Sequence, residues 1–224
     1  MKQLVLDIAT DTPPRFENFV VGANVALVAA LREMADTLAD HLFLWGPHGS
    51  GRSHLLKATV AAALESGRPA TAMNADEAGA NLPDDEGLLL AIDDVGNLSE
   101  QAQIALFNSF NRARSLGQTL LLSADRPPLQ LHLREDLRTR TGQCLIFEVL
   151  PLADDERASI LHGMAERRGL RLDAEVVSYL LRHGRRDMPS LLAVMDALDA
   201  SSLEQKRPIT LPLLRELMQR GLDI

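Results

Sequence analysis

The chain has 224 residues, a formal net charge of −8, and 46% hydrophobic and 24% charged residues. This is the balance of a globular protein able to bury a sizeable core, and its acidic excess argues against autonomous binding to a phosphate backbone. No apolar run approaches the roughly 18 to 20 residues a membrane-spanning helix needs.

The opening residues Met1 to Asp11 carry one Lys and an apolar stretch that Asp7 interrupts. The stretch is too short for the hydrophobic part of a signal peptide, so the mature chain is expected to start near Met1. Residues 1–8 read as an extended tether and residues 9–15, with Pro13 and Pro14, as a linker. From Asn24 to Asp40, Leu27, Val28, Leu31, Met34, Ala35 and Leu38 recur at three- and four-residue spacing, which predicts an amphipathic helix.

Short apolar runs then alternate with helical stretches. The runs, each the length of a buried strand, are His41 to Trp45, Ala70 to Met73, Leu88 to Ile92, Thr119 to Ser123 and Leu145 to Val149. Helices are expected over Ser53 to Ser66, Ser99 to Ser115 and Leu129 to Arg138. Such alternation predicts an α/β domain over 16–151, a parallel sheet covered on both faces. After Pro151 the pattern is helical only: Asp154 to Arg168, Asp173 to His183, Met188 to Leu203 and Thr210 to Arg220, with Asp173 and Thr210 as N-caps. Residues 152–224 are therefore expected to form a small all-helical second domain. The single cysteine, Cys144, can form neither an internal disulfide nor a cysteine metal site; it reads as a small buried residue and fits a reducing, cytoplasmic setting.

The chemistry gathers at the strand ends. Gly46-Pro47-His48-Gly49-Ser50-Gly51-Arg52-Ser53 follows the first predicted strand and opens a helix, the setting a phosphate-binding loop requires. Its glycines let backbone N–H groups converge on phosphate oxygens, and the helix N-terminus adds a favourable dipole. Arg52 stands where Lys ordinarily reaches the β- and γ-phosphates; a guanidinium is bulkier than an ammonium but still neutralises a diphosphate. Ser53 keeps the hydroxyl expected on Mg²⁺, while Lys57 reads as a surface residue. The third run ends in Asp93 and Asp94, which suits a metal-binding carboxylate followed by one that orients water. Ser123-Ala124-Asp125-Arg126 ends the fourth strand with polar groups that either sense a γ-phosphate or merely cap the strand. Arg134, Arg138 and Arg140 precede the fifth strand; a solvated face explains Arg134 and Arg138 equally well.

Together these stretches resemble the DnaA family of AAA+ proteins, and within it the Hda-type regulators. The resemblance rests on Phe16-Glu17-Asn18-Phe19-Val20-Val21-Gly22, on the phosphate loop continuing into His54-Leu55, and on Ser123 to Arg126, and it spans nearly the whole chain. It implies an AAA+ parallel sheet flanked by helices with a helical lid, and a nucleotide, ADP or ATP with Mg²⁺, held by Phe19, Val20, Val21 and the residues from Gly46 to His54, with Ser53 and Asp93 on the metal. It implies further that Arg140, in Leu137-Arg138-Thr139-Arg140, acts as an arginine finger toward a partner's nucleotide, alongside Asp93, Asp94 and Asp125 in catalytic roles. Gln3, Leu4, Leu6 and Ile8 resemble peptides that dock on the replicative sliding clamp, Gln3 at a pocket rim and the aliphatic residues as anchors. The partners implied are a DnaA-type initiator and the polymerase III β clamp, with DNA reached only through them and no membrane. The initiator's C-terminal helix-turn-helix domain has no counterpart up to Ile224, and the lid position that usually carries an Arg appears as Pro189.

The expected role is stimulation of ATP hydrolysis on the initiator by an ADP-holding chain with weak turnover of its own. An autonomous ATP-driven loader of the same fold, and a clamp or initiator adaptor with a purely structural nucleotide, are the alternatives, and a homo-oligomer is compatible with either. The acidic segment Pro83 to Glu86 reads as a solvated loop.

Overall fold

The computed structural model describes residues 13–38, 40–184 and 188–222, residue 189 by its backbone alone. Five strands form one sheet: β1 (Leu42–Trp45), β2 (Ala70–Asn74), β3 (Leu89–Asp93), β4 (Thr119–Ala124) and β5 (Leu145–Glu148). All neighbours are parallel, in the order β2-β3-β4-β1-β5. The inner strands are apolar on both sides because both faces are covered. Leu42, Leu44, Leu89, Ala91 and Leu121 point to α1 (Val25–Asp36) and α2 (Arg52–Glu65), meeting Leu31, Met34, Leu55 and Leu56. Their alternates Phe43, Leu90, Ile92, Leu120 and Leu122 point to α3 (Glu100–Leu116) and α4 (Glu135–Thr141), meeting Leu106, Phe110 and Leu137.

Four further helices, α5 (Asp154–Arg167), α6 (Ala174–His183), α7 (Met188–Gln205) and α8 (Leu211–Gln219), enclose a separate core built on Leu161, Val176, Leu180, Leu191, Leu198 and Leu213. Asp173 caps α6 by accepting from the Glu175 N–H, whereas Thr210 precedes α8 without a side-chain cap bond. No helix among the described residues is long and apolar enough to cross a membrane.

Two of the expected helices differ in extent. The first stops at Asp36 rather than Asp40, where the Thr37 hydroxyl turns back onto the Glu33 carbonyl and Arg68 takes the terminal carbonyls. The stretch from Leu129 to Arg138 is not one helix: a 3-10 turn at Pro128–Gln130 is separated from α4, and Leu131 and Leu133 enter the core between them. Cys144 is buried as expected, and burial pushes its thiol up to about 12.

Arg68 ties the lower end of the sheet together. Its Nη1 donates to the Met34 and Thr37 carbonyls at 2.6 and 2.7 Å, its Nε to the Gly87 carbonyl at 3.0 Å, and its Nη2 to the Thr119 hydroxyl. One side chain thus satisfies the orphan carbonyls at the end of α1 and fixes the start of β4. Beside it, the Leu120 N–H donates to Nδ1 of His41 at 3.1 Å, and the His41 ring packs edge-on against Phe110.

Accepting at Nδ1 requires neutral His41. Burial holds its pKa below the ordinary 6.5, with Asp40 pulling weakly in the opposite direction. A lowered folded pKa means that the unfolded chain binds the proton more tightly, so the stability His41 contributes is present above its ordinary pKa and lost as the pH falls toward the folded value. The melting temperature is therefore expected to fall on acidification from about pH 7.5 to about pH 5.5. His41→Asn, which keeps an acceptor but cannot titrate, is expected to show a shallower fall in the same thermal scans.

Candidate nucleotide-binding site

Because β1 lies between β4 and β5, while the chain leaving it crosses to β2 at the far edge, a crevice opens beyond the C-terminal end of β1. The loop from Gly46 to Ser53 occupies that point. A Cβ at Gly46 would stand 2.7 Å from the Val149 carbonyl oxygen, so only glycine passes there. Gly49 and Gly51 have φ of +76° and +99°, conformations open to glycine, and they turn the chain into α2. Gly51 caps α2 without a side-chain bond, leaving its first-turn N–H groups directed into the crevice. Pro47, His48, Gly49 and Ser53 are exposed, and Ser50 is buried.

The leading segment closes one side. Phe16–Asn18 forms a 3-10 turn with Phe16 in the core, and the Phe19 ring then lies against the loop, its edge filling the space a Gly51 side chain would need. Its centroid is 5.5 Å from that of His54, whose Nε2 lies 2.9 Å from the Arg15 carbonyl oxygen. Val21 packs against the core and Val20 is exposed. Asn24 fastens this segment to the end of the sheet: its Nδ2 donates to the Leu150 carbonyl at 2.9 Å and its Oδ1 accepts from the Leu150 N–H at 2.8 Å. Gly22 abuts Leu152 and Glu156, so the same segment touches the first turn of α5.

The acidic side is built at the ends of β3 and β4. Asp93 is 5% exposed and accepts from the Ser123 hydroxyl and from the Asp94 N–H. Asp94 has φ of +55°, and its N–H also lies 3.2 Å from the Ser123 Oγ. Arg52 is 8% exposed, with its Nη1 3.1 Å from Asp94 Oδ1. That approach makes an ion pair, but Nη1 forms no hydrogen bond there. Asp125 lies past the strand end, 60% exposed and 3.5 Å from Arg126; Ser123, rather than Asp125, meets Asp93.

Arg140 is set apart from the loop. It sits half-buried on α4, its Nη2 donating to Asn111 at 2.9 Å and its guanidinium carbon 6.0 Å from the Phe107 ring centre, both on α3. An open depression of about 580 Å³ lined by Arg134, Glu135, Asp136 and Thr139 lies on the same helix. Gln3, Leu4, Leu6 and Ile8 lie outside the described residues. Sequence reasoning singled out neither Ser123 as the Asp93 partner nor Asn111 and Phe107 beside Arg140. Asn111 and Phe107 are four apart on one helix face, but what they face comes from another element.

The pocket fits a phosphate. Ser50 Oγ is buried without a hydrogen-bond partner, a state costing about 1–3 kcal/mol, and Arg52 Nη1 is buried facing the Asp94 carboxylate without a hydrogen bond to it. Phosphate oxygens would accept from Ser50, and the open N–H groups of α2 would supply further donors.

A parallel sheet in this order, with a phosphate loop after β1, an acid pair after β3 and a helical bundle behind, defines an AAA+ protein. Residues 154–218 match the family model described as "Hda, lid domain". The chain is similar to AMPPCP-bound DnaA from Aquifex aeolicus, with 25% identity, 87% of this chain and 67% of that chain covered, and a TM-score of 0.72. It is also similar in fold to domain III of the Thermotoga maritima replication initiation protein DnaA, with 21% identity, 96% and 99% covered, and a TM-score of 0.79. The Thermotoga maritima RuvB Holliday junction branch migration motor shares the fold at 18% identity, 94% and 75% covered, TM-score 0.71. The chain thus has the AAA+ fold and is similar to DnaA, with an Hda-type match over residues 154–218.

The close approach at Gly46 is to backbone, which cannot swing aside. Gly46→Ala is expected to destabilise the protein by about 1–3 kcal/mol, a fall of about 2–4 °C in melting temperature per kcal/mol. Gly79→Ala, where an added Cβ meets nothing within 4 Å, is expected to leave the melting temperature nearly unchanged.

Proposed function

We propose that this chain is a replication-initiation regulator that holds a nucleoside diphosphate and offers Arg140 to the ATP site of a DnaA-type initiator, stimulating hydrolysis there. The observation that carries the reading is the separation of two arginines: Arg52 is buried and paired with the chain's own Asp94, while Arg140 is held on α4 by Asn111 and Phe107. A carboxylate already paired with a guanidinium is poorly disposed to orient a water, so intrinsic turnover is weak. A guanidinium fixed by one hydrogen bond and a ring face needs little further ordering before it stabilises transition-state charge on a partner.

Residues 16–151 act as the nucleotide-binding domain and residues 152–224 as its lid. Phe19, Val20, Val21 and His54 flank the base, and the backbone from Gly46 to Ser53 holds the phosphates. Ser53 and Asp93 would hold Mg²⁺, an ion that dehydrates reluctantly and takes few protein ligands. Among the described residues no cluster of three His, Cys, Asp or Glu side chains could hold a metal by itself. Bound Mg²⁺ and nucleotide would contribute charge and order at the crevice beyond β1. Gln3, Leu4, Leu6 and Ile8 dock on the sliding clamp, which brings the chain to the initiator on DNA.

The test is ATP hydrolysis by a DnaA-type initiator with DNA-loaded clamp, measured with this chain, with Arg140→Ala, and with this chain alone. Stimulation is expected to drop by about two orders of magnitude or more in the variant, with negligible turnover by the chain alone. Full stimulation by Arg140→Ala rules out the finger assignment, and strong turnover by the chain alone identifies an autonomous ATPase.

A further inference from the structure

The crevice already contains an anion. Arg52 is the cation of the phosphate loop, and its Nη1 stands 3.1 Å from Asp94 Oδ1 at the end of β3. The Asp94 backbone is fixed, while its side chain is 48% exposed. Its N–H is fixed by Asp93 Oδ1 at 3.1 Å and Ser123 Oγ at 3.2 Å, and its carbonyl accepts from the Asn97 N–H at 2.9 Å in the 3-10 turn Val95–Asn97 that follows. Next to it, Asp93 adds a second, buried carboxylate whose oxygen is occupied by the Ser123 hydroxyl.

In phosphate-loop sites the inner phosphates lie over the loop and the helix N-terminus, while the outermost one extends toward the metal-binding carboxylate of the neighbouring strand. A diphosphate satisfies Ser50 and the loop N–H groups without disturbing the Arg52–Asp94 pair. A triphosphate adds about one further charge or more beside Asp94. It must either pull Arg52 off Asp94, leaving a carboxylate uncompensated, or accept the repulsion.

We propose that Asp94, through its ion pair with Arg52, is the residue that makes this pocket prefer a nucleoside diphosphate to a triphosphate. The inference rests on the nucleotide-binding reading above and gives that site its selectivity. Asp94 acts here as an electrostatic gate on the terminal phosphate and has no need to orient water. Arginine matters because its planar fork engages a carboxylate and a phosphate from different edges, whereas a compact ammonium does not.

The experiment is calorimetric titration of the nucleotide-free chain with Mg-ADP and with Mg-ATP, for the natural chain, Asp94→Asn, Arg52→Lys and the double variant. Asn tolerates the positive φ at this position, so Asp94→Asn removes the charge without backbone strain; thermal melting verifies its fold. The natural chain is expected to bind ADP about tenfold more tightly than ATP or better, and Asp94→Asn to bring the two within about threefold by tightening ATP. Adding Asp94→Asn to Arg52→Lys is expected to change the ratio much less than it does in the natural chain. A natural chain without preference, or a preference that survives in Asp94→Asn with ADP binding intact, overturns the inference. If the natural chain binds neither nucleotide, the nucleotide-binding reading falls and the inference with it. Should Asp94→Asn fail to fold, the ratio in Arg52→Lys decides, since an unchanged tenfold preference there also overturns the role of the pair.

Discussion

Strand β1 is hydrogen-bonded to β4 on one side and β5 on the other, and both neighbours end in register with it, at Ala124 and Glu148, so the chain that leaves Trp45 turns out of the sheet at its C-terminal edge. That turn is made at Gly46, against the backbone of Val149, and nearly every other feature of the crevice follows from it. The loop is lifted over the end of the sheet, α2 begins with its N-terminus facing the opening, and the ends of β3 and β4 bring Asp93 and Ser123 together on the acidic side. The leading segment can then lay Phe19 across Gly51 because that residue has no side chain.

Within this frame, electrostatics divide the labour among the arginines. Arg52 is buried and compensated at once by Asp94, and Arg68 is spent entirely on backbone carbonyls and Thr119. Arg140 is half-buried, with its neutral partner Asn111 and the Phe107 face orienting it without cancelling its charge. An arginine paired with a carboxylate would have less to offer an incoming phosphate than one held by an amide and a ring. The same residue type thus forms an ion pair, a backbone clamp or an amide-and-ring contact according to what its neighbours carry.

Much of the fold is legible in the residues because the forces involved are local and periodic. Runs such as Leu88 to Ile92 are apolar at every position only if both faces are covered, and this places them in the inner sheet. The glycines of the phosphate loop, following one such run and opening a helix, mark the site from composition and order alone. The misread stretch is instructive. Leu129, Leu131, Leu133 and Leu137 mimic a helical stripe, yet Leu131 and Leu133 point into the core from an irregular connection while Leu129 is 81% exposed. Spacing records which residues are apolar, not whether one helix or a turn and a shorter helix buries them.

By itself the sequence determined the alternation of strands and helices, the position of the glycine-rich loop after the first strand and the carboxylate pair after β3, since each depends on neighbours within a few residues, whereas Arg140 was singled out only by the family resemblance. Only the tertiary structure decided that Arg52 turns to Asp94, that Ser123 rather than Asp125 meets Asp93, that Asn24 binds Leu150, and that Asn111 and Phe107 orient Arg140. Those contacts join residues about 30 to 130 positions apart, where no periodicity survives and strand order alone determines which side chains meet.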